Sequence, residues 1–227
     1  MSFQERPGPG AVMAATACAA SARYSPTMAR GLIALDADGV LLDFHLGYAA
    51  AWQRAFGARP RERDPLAYWP IDRWEVERID DPARRAHFRA HFDDLFWSSV
   101  PALEGAVEAC NRLHDAGFDL VCVSALDSEF EAARLRNLRD HGFPIERVVA
   151  TGNAAGERSP KADAIAALNP EAFVDDYLLY FRGVPAHVHT ALVLRNSNGS
   201  PNHGSEMTLA RSVHDDLPAF ASHWLAR

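Results

Sequence analysis

The chain has 227 residues, a hydrophobic fraction of 48% and a formal net charge of -7. That length and composition suit one globular domain with a real core and room for an inserted subdomain. No basic tract stands out, so a nucleic-acid backbone is not an expected partner. A cationic small molecule or a metal fits the acidic balance as well as a phosphate does, so charge alone decides nothing.

Residues 1–30 are rich in Ala, Gly, Pro and Ser. The run AVMAATACAASA has the small-residue character of a short secretory core. The segment before it carries Glu5, Arg6 and Pro-Gly pairs, which make a poor basic leader. A disordered or poorly ordered extension is expected, with Met28 as an alternative start. The 3 cysteines, Cys18, Cys110 and Cys122, are odd in number and match no metal or redox spacing, and Cys110 and Cys122 lie in apolar runs and read as core thiols. A reducing, cytoplasmic setting follows as the expectation, with no membrane partner.

Gly31 to Leu35 reads as a short buried strand that runs into Asp36-Ala-Asp38-Gly39, with Asp43 after a second apolar run. Residues 46–100 change character: Trp52, Phe56, Tyr68, Trp69, Trp74, Phe88, Phe92, Phe96 and Trp97 are mixed with many charges, and Pro60, Pro65, Pro70 and Pro82 interrupt the stretch. A small helical subdomain is expected there, with Phe88, Phe92 and Phe96 on one helix face by their spacing of four. These phenylalanines read as subdomain core, Trp69 and Trp74 as residues of an entrance, and Arg59, Arg61 and Arg63 as solvated surface. Gly47 and Gly105, near the two ends, are candidate hinges.

Beyond Pro101 helices and strands alternate. ALEGAVEACNRLHDAGF reads as an amphipathic helix ending near Gly117, FDLVCV as a strand, and DSEFEAARLRNLRDHG as a helix with Ser128 and Glu131 spaced as a capping box. RVVA is a strand. SPKADAIAAL opens a helix with Ser159 as cap and Pro160 at its first position. AFVDD and HTALVLR are strands, and DDLPAFASHWLA closes the chain as a helix. Apolar strands alternating with helices predict an α/β fold: a Rossmann-like parallel sheet covered on both faces. In such sheets ligands bind beyond the carboxyl ends of the strands. Asp36 and Asp38, Ser124, Asp175 and Asp176 stand at three such ends, and Lys161 opens the helix after a fourth. Acids gathered from separate strands coexist when a divalent cation neutralises them. Alone, each has a plainer reading: an Asp-Gly turn, a strand-end serine, a solvated lysine. His187, His189, His203 and His214 match no zinc spacing and read as solvated or singly bonded.

The sequences DADGVLLD, VCVSAL, SPKAD and FVDD, in that order, resemble the four motifs of the haloacid dehalogenase superfamily of hydrolases. Val40 stands where that family often has Thr, and Lys161 lies rather near the fourth motif. The resemblance implies a core of residues 31–45 and 101–227 with a helical cap inserted at 46–100. It implies Asp36, Asp38, Ser124 and Lys161 as catalytic residues. Asp36 would be the nucleophile and Asp38 the general acid and base, while Ser124 and Lys161 hold phosphoryl oxygens. It implies Mg2+ held by Asp36, the backbone carbonyl of Asp38 and Asp176, with Asp175 acting through a metal-bound water. The second Asp of the first motif favours phosphate-ester hydrolysis over dehalogenation. The substrate implied is a small phosphorylated metabolite, and the oligomeric state is left as monomer or homodimer. Phosphoryl transfer to another acceptor, as in a mutase, and a silent binding protein of the same fold are the alternatives. Asp43 reads as a helix cap or as an organiser of the loop below the cap.

Overall fold

The computed structural model describes residues 30–153 and 156–227. The expected disordered extension therefore lies outside the described residues except for Arg30, as does Cys18.

Six strands form one parallel sheet: β1 Gly31–Leu35, β2 Phe118–Ser124, β3 Val148–Ala150, β4 Ala172–Asp175, β5 His189–Val193 and β6 Ser212–His214. Their order is β3-β2-β1-β4-β5-β6. Leu35 lies level with Cys122 on one side and Val174 on the other, so the carboxyl ends of the central strands finish together. Successive strand residues face opposite ways. Ile33 and Leu35 join a core under α5 (Ala106–Asp115) and α8 (Leu217–Leu225), while Ala34, Val121 and Phe173 pack with Ile165 of α7 (Ala162–Leu168) on the other face. This is the doubly covered sheet that apolar strands require. Cys110 and Cys122 are free and buried, and burial pushes both thiols well above their ordinary value.

Several local expectations are corrected. The edge strand β6 has too little apolar pattern in Ser-Val-His to stand out, and Val213 is exposed. Ser128 and Glu131 form no capping box: Ser128–Phe130 is a 3-10 turn, and the Glu131 carboxylate accepts from Ala150 N at 3.0 Å, tying α6 (Glu131–Asp140) to β3. Ser159 Oγ does accept from a backbone N–H, that of Lys161 at 3.1 Å, but α7 begins two residues after Pro160, at Ala162.

Residues 44–97 supply α1 (Phe44–Phe56), α2 (Pro70–Arg73), α3 (Pro82–Arg89) and α4 (Asp94–Trp97), and no strand of the sheet. Asp43 caps α1, its carboxylate accepting from Leu46 N at 3.1 Å, so the expected 45/46 boundary falls within a helix. Phe88, Phe92 and Phe96 do not share one helix. Asp93 accepts from Phe96 N at 2.9 Å and starts α4 afresh, leaving Phe92 in the bend. The three rings still pack in series, edge to face and then tilted, with centroids 5.2 Å and 4.6 Å apart, and Phe44 packs on Phe96 at 5.7 Å. Gly47 is no hinge. It lies inside α1, where an added Cβ would press on Val100 and Phe96. Among the described residues no helix is long and apolar enough to cross a membrane.

Candidate active site

The strand β1 stops at Leu35, and Asp36 N donates to Val174 O at 2.9 Å, holding the Asp36 backbone against β4. Its side chain is thereby delivered to the sheet's carboxyl edge beside Asp175, the last residue of β4. Lys161 reaches in from the start of α7. Its ammonium is fully buried and lies 2.6 Å from both Asp36 Oδ1 and Asp175 Oδ2. Burial alone lowers a lysine, but the charges of Asp175 and Asp36 and the hydrogen bonds they accept outweigh it and hold Lys161 above its ordinary value. A buried ammonium between two carboxylates is a charge arrangement that survives only as a set.

Asp176 adds a further acid. Burial, then the charges of Asp175 and Asp36, push its carboxyl far up. Burial likewise raises Asp175 to about 7, against the pull of Lys161. One ammonium does not neutralise this group. Asp36, Asp175 and Asp176 each present a carboxylate oxygen within 4.8 Å of the others, and among the described residues this is the one cluster of His, Cys, Asp and Glu so placed. The donor set is all oxygen, which suits a hard divalent cation such as Mg2+. Both Asp175 oxygens already accept hydrogen bonds, from Lys161 and from Tyr177 N at 2.9 Å. The Asp176 carboxylate accepts none from the described residues, so it is the freer ligand. Gly39 makes room for it: its φ of 94° suits glycine, and a Cβ there would lie 2.3 Å from Asp176 Oδ2.

Asp38 stands apart from this cluster. Its two oxygens accept from Arg134 Nη2 at 2.8 and 2.9 Å. Arg134, on α6, is fully buried, its guanidinium 4.9 Å from the Trp97 ring centroid, with Nε and Nη1 lacking partners. Burial pushes the Asp38 carboxyl above its ordinary value; Arg134 pulls against that and Asp36 adds to it. Ser124 ends β2, buried, and faces the same cavity.

That cavity measures about 460 Å³ and takes in Asp36, Asp38, Ser124 and Asp176, so residues expected from separate motifs do converge. Lys161 and Asp175 lie beneath its floor. The inserted segment roofs it with Phe44, His45, Tyr68, Trp69 and Trp97. Trp69 lines the mouth as expected, but Trp74 does not: it is buried and donates through Nε1 to His45 O at 2.9 Å. His45 is held neutral, burial and Arg73 lowering it to about 4. Arg59, Arg61 and Arg63 are exposed, and His187, His189 and His214 are bonded to Asn169 and Ser212.

Sequence reasoning missed Arg134, Arg195, Tyr68, Tyr177 and Tyr180, all at or against the site. A signal existed for Arg134. It lies four residues before Leu138, on the apolar stripe of its helix and not on the charged face with Arg136 and Arg139.

The parallel sheet order, the acids at its strand ends and the helical insertion after β1 make this the haloacid dehalogenase-type fold. By sequence, no protein-family model and no curated protein matches the chain. Solved structures do match in fold. A haloacid dehalogenase family hydrolase from Deinococcus radiodurans R1, determined with bound phosphate and sodium, superposes with a TM-score of 0.59 at 17% identity over 86% of this chain and 95% of its own. A "predicted phosphatase" from Clostridium acetobutylicum gives 0.57 at 14%, covering 86% and 98%. A protein assigned as a β-phosphoglucomutase from Thermotoga maritima gives 0.55 at 16%, covering 86% and 98%.

Proposed function

We propose that the protein is a Mg2+-dependent phosphomonoesterase acting on a small phosphorylated metabolite. The observation that carries this reading is the meeting of Asp36, Lys161, Asp175 and Asp176 at one sheet edge, beneath a cavity that Asp38 and Ser124 also face. Asp36 is the nucleophile. Its carboxylate attacks phosphorus, the bond to the ester oxygen breaks, and an aspartyl-phosphate forms. Lys161 offsets the charge of Asp36 against an anionic substrate. Asp38 gives its proton to the departing oxygen, then takes one from the water that hydrolyses the intermediate. Ser124 donates to a phosphoryl oxygen. Asp36, Asp176 and the Asp38 carbonyl would hold Mg2+, with Asp175 supporting from behind; when bound, the ion draws charge from the transferring phosphoryl group. Residues 46–100 act as a cap that excludes water and reads the rest of the substrate.

The test is phosphate release from a panel of small phosphomonoesters, with Mg2+ and with a chelator, for the parent and for Asp36→Asn. Metal-dependent release that disappears in Asp36→Asn supports the reading. Release that survives the substitution refutes it. Transfer to a sugar hydroxyl in place of water is the second reading, favoured by likeness to the Thermotoga maritima protein; phosphate transferred to added sugar phosphate, measured against phosphate released, separates the two.

A further inference from the structure

Arg195 follows β5 at the same carboxyl edge and lines the cavity with Asp36 and Asp176. It is the one Lys or Arg side chain on that wall among the described residues. The acids around it, Asp36, Asp38 and Asp176, would repel any anion that entered. Arg73 nearby is engaged, donating to Glu62 at 2.8 Å and meeting His45 Nδ1 at 3.2 Å. Arg195 is not. Among the described residues it forms no ion pair within 4.0 Å and no side-chain hydrogen bond, and its Nε is buried without a partner.

The Arg195 Nε, buried without a partner, is costly to keep unless something fills it. The planar guanidinium fork matches a carboxylate or a phosphate. Asp43 and Asp176 lie near enough to feel its charge, yet neither reaches it. The donors are therefore free to serve the cavity, beside a wall of Tyr68, Trp69, Tyr177 and Tyr180 whose rings pack edge to face.

We propose that Arg195 is a specificity-determining residue that binds a second anionic group, carboxylate or phosphate, on a phosphomonoester whose reacting phosphate sits over Asp36. This rests on the phosphomonoesterase reading above. Ser124 serves the reacting phosphate, with Lys161 beneath it offsetting Asp36, and Arg195 serves a second anionic group of the same molecule. Neutral sugar or alcohol phosphates would leave its donors unfilled.

The test measures binding and turnover separately. Calorimetry in excess Mg2+ gives Kd for phosphonocarboxylates and bisphosphonates of graded chain length, each against the alkylphosphonate of equal length, for the parent, Arg195→Gln and Arg195→Lys. In the parent the best dianionic probe binds about 10- to 100-fold tighter than its alkyl counterpart, the worth of one charge-assisted contact. In Arg195→Gln that ratio collapses towards one, and Arg195→Lys keeps part of it. The carboxylate and phosphonate arms show which second anion is preferred. A parent without preference overturns the proposal, as does an equal preference in Arg195→Gln. Equal weakening of both probes does so too, because it makes Arg195 a mere counterweight to the acids. Phosphate release from 3-phosphoglycerate against glycerol 3-phosphate completes the test. Release without preference sinks the role of Arg195 and leaves the hydrolase reading. Preference in binding, with no release from any ester, does the reverse.

Discussion

Asp38→Ala removes the one carboxylate at salt-bridge distance from Arg134 among the described residues. Arg134 is fully buried, and its Nε and Nη1 have no other partner to fall back on. The Trp97 ring at 4.9 Å offsets part of the charge, by up to about 2 kcal/mol. Breaking a buried pair from one side costs about 3–5 kcal/mol, because the remaining charge stays desolvated. In a chain of this size 1 kcal/mol moves Tm by about 2–4 °C, so Asp38→Ala should melt roughly 6–20 °C below the parent. Thermal and urea denaturation of Asp38→Ala, Arg134→Met and the double variant measure it. The double variant should be more stable than Asp38→Ala, since it removes the stranded charge. An Asp38→Ala protein that melts within about 2 °C of the parent, or a double variant no better than the single, refutes the argument. The result also bears on activity: a dead Asp38→Ala enzyme says little about proton transfer if it is partly unfolded.

Asp36→Asn should lower phosphate release by roughly 10³-fold or more while leaving the fold intact by circular dichroism. Lys161→Met should both inactivate and destabilise, leaving Asp36 and Asp175 buried without a counter-charge; an unchanged melting temperature would contradict the ion-pair geometry. Asp175 has a folded-state pKa of about 7 against an ordinary 3.8, so its contribution to stability is complete below about 4 and is lost as pH rises through 7. Without metal the protein should therefore weaken over that window. Mg2+ should raise Tm more at pH 8 than at pH 5, as differential scanning fluorimetry would show. Phe96→Ala should cost about 3–5 kcal/mol, since its ring is buried against Phe44, Phe92 and Trp97.

The sheet was readable because apolar runs between helical patterns leave few topologies, and β1 has its expected bounds. The gathering of Asp36, Asp38, Ser124, Lys161, Asp175 and Asp176 at one sheet edge was readable because each stands at the end or start of a strong element, where the chain direction carries it there. Arg134 and Arg195 were not, for a physical reason. Their partners, or lack of partners, depend on segments far away in sequence, and a helix or strand period does not report who faces a guanidinium. The break between α3 and α4 was hidden for the opposite reason. The spacing of four was correct, but the side chain of Asp93 competed for a backbone N–H and won locally.

Trp52, Phe88 and Phe96 belong to the same continuous hydrophobic interior as Ile33, Leu35 and Val174 of the sheet. The inserted helices are thus rooted in the body of the protein. Lifting them away whole would wet aromatic rings of roughly 150–250 Å² each. The thinner stretch around Leu66, Trp69 and Ile71 is exposed and holds fewer such anchors. This stretch is the part of the roof expected to move first. Amide hydrogens of residues 64–74 should exchange with solvent well before those of α1, and the pace of ligand arrival and departure should follow the stiffness of that loop and not of the helices behind it.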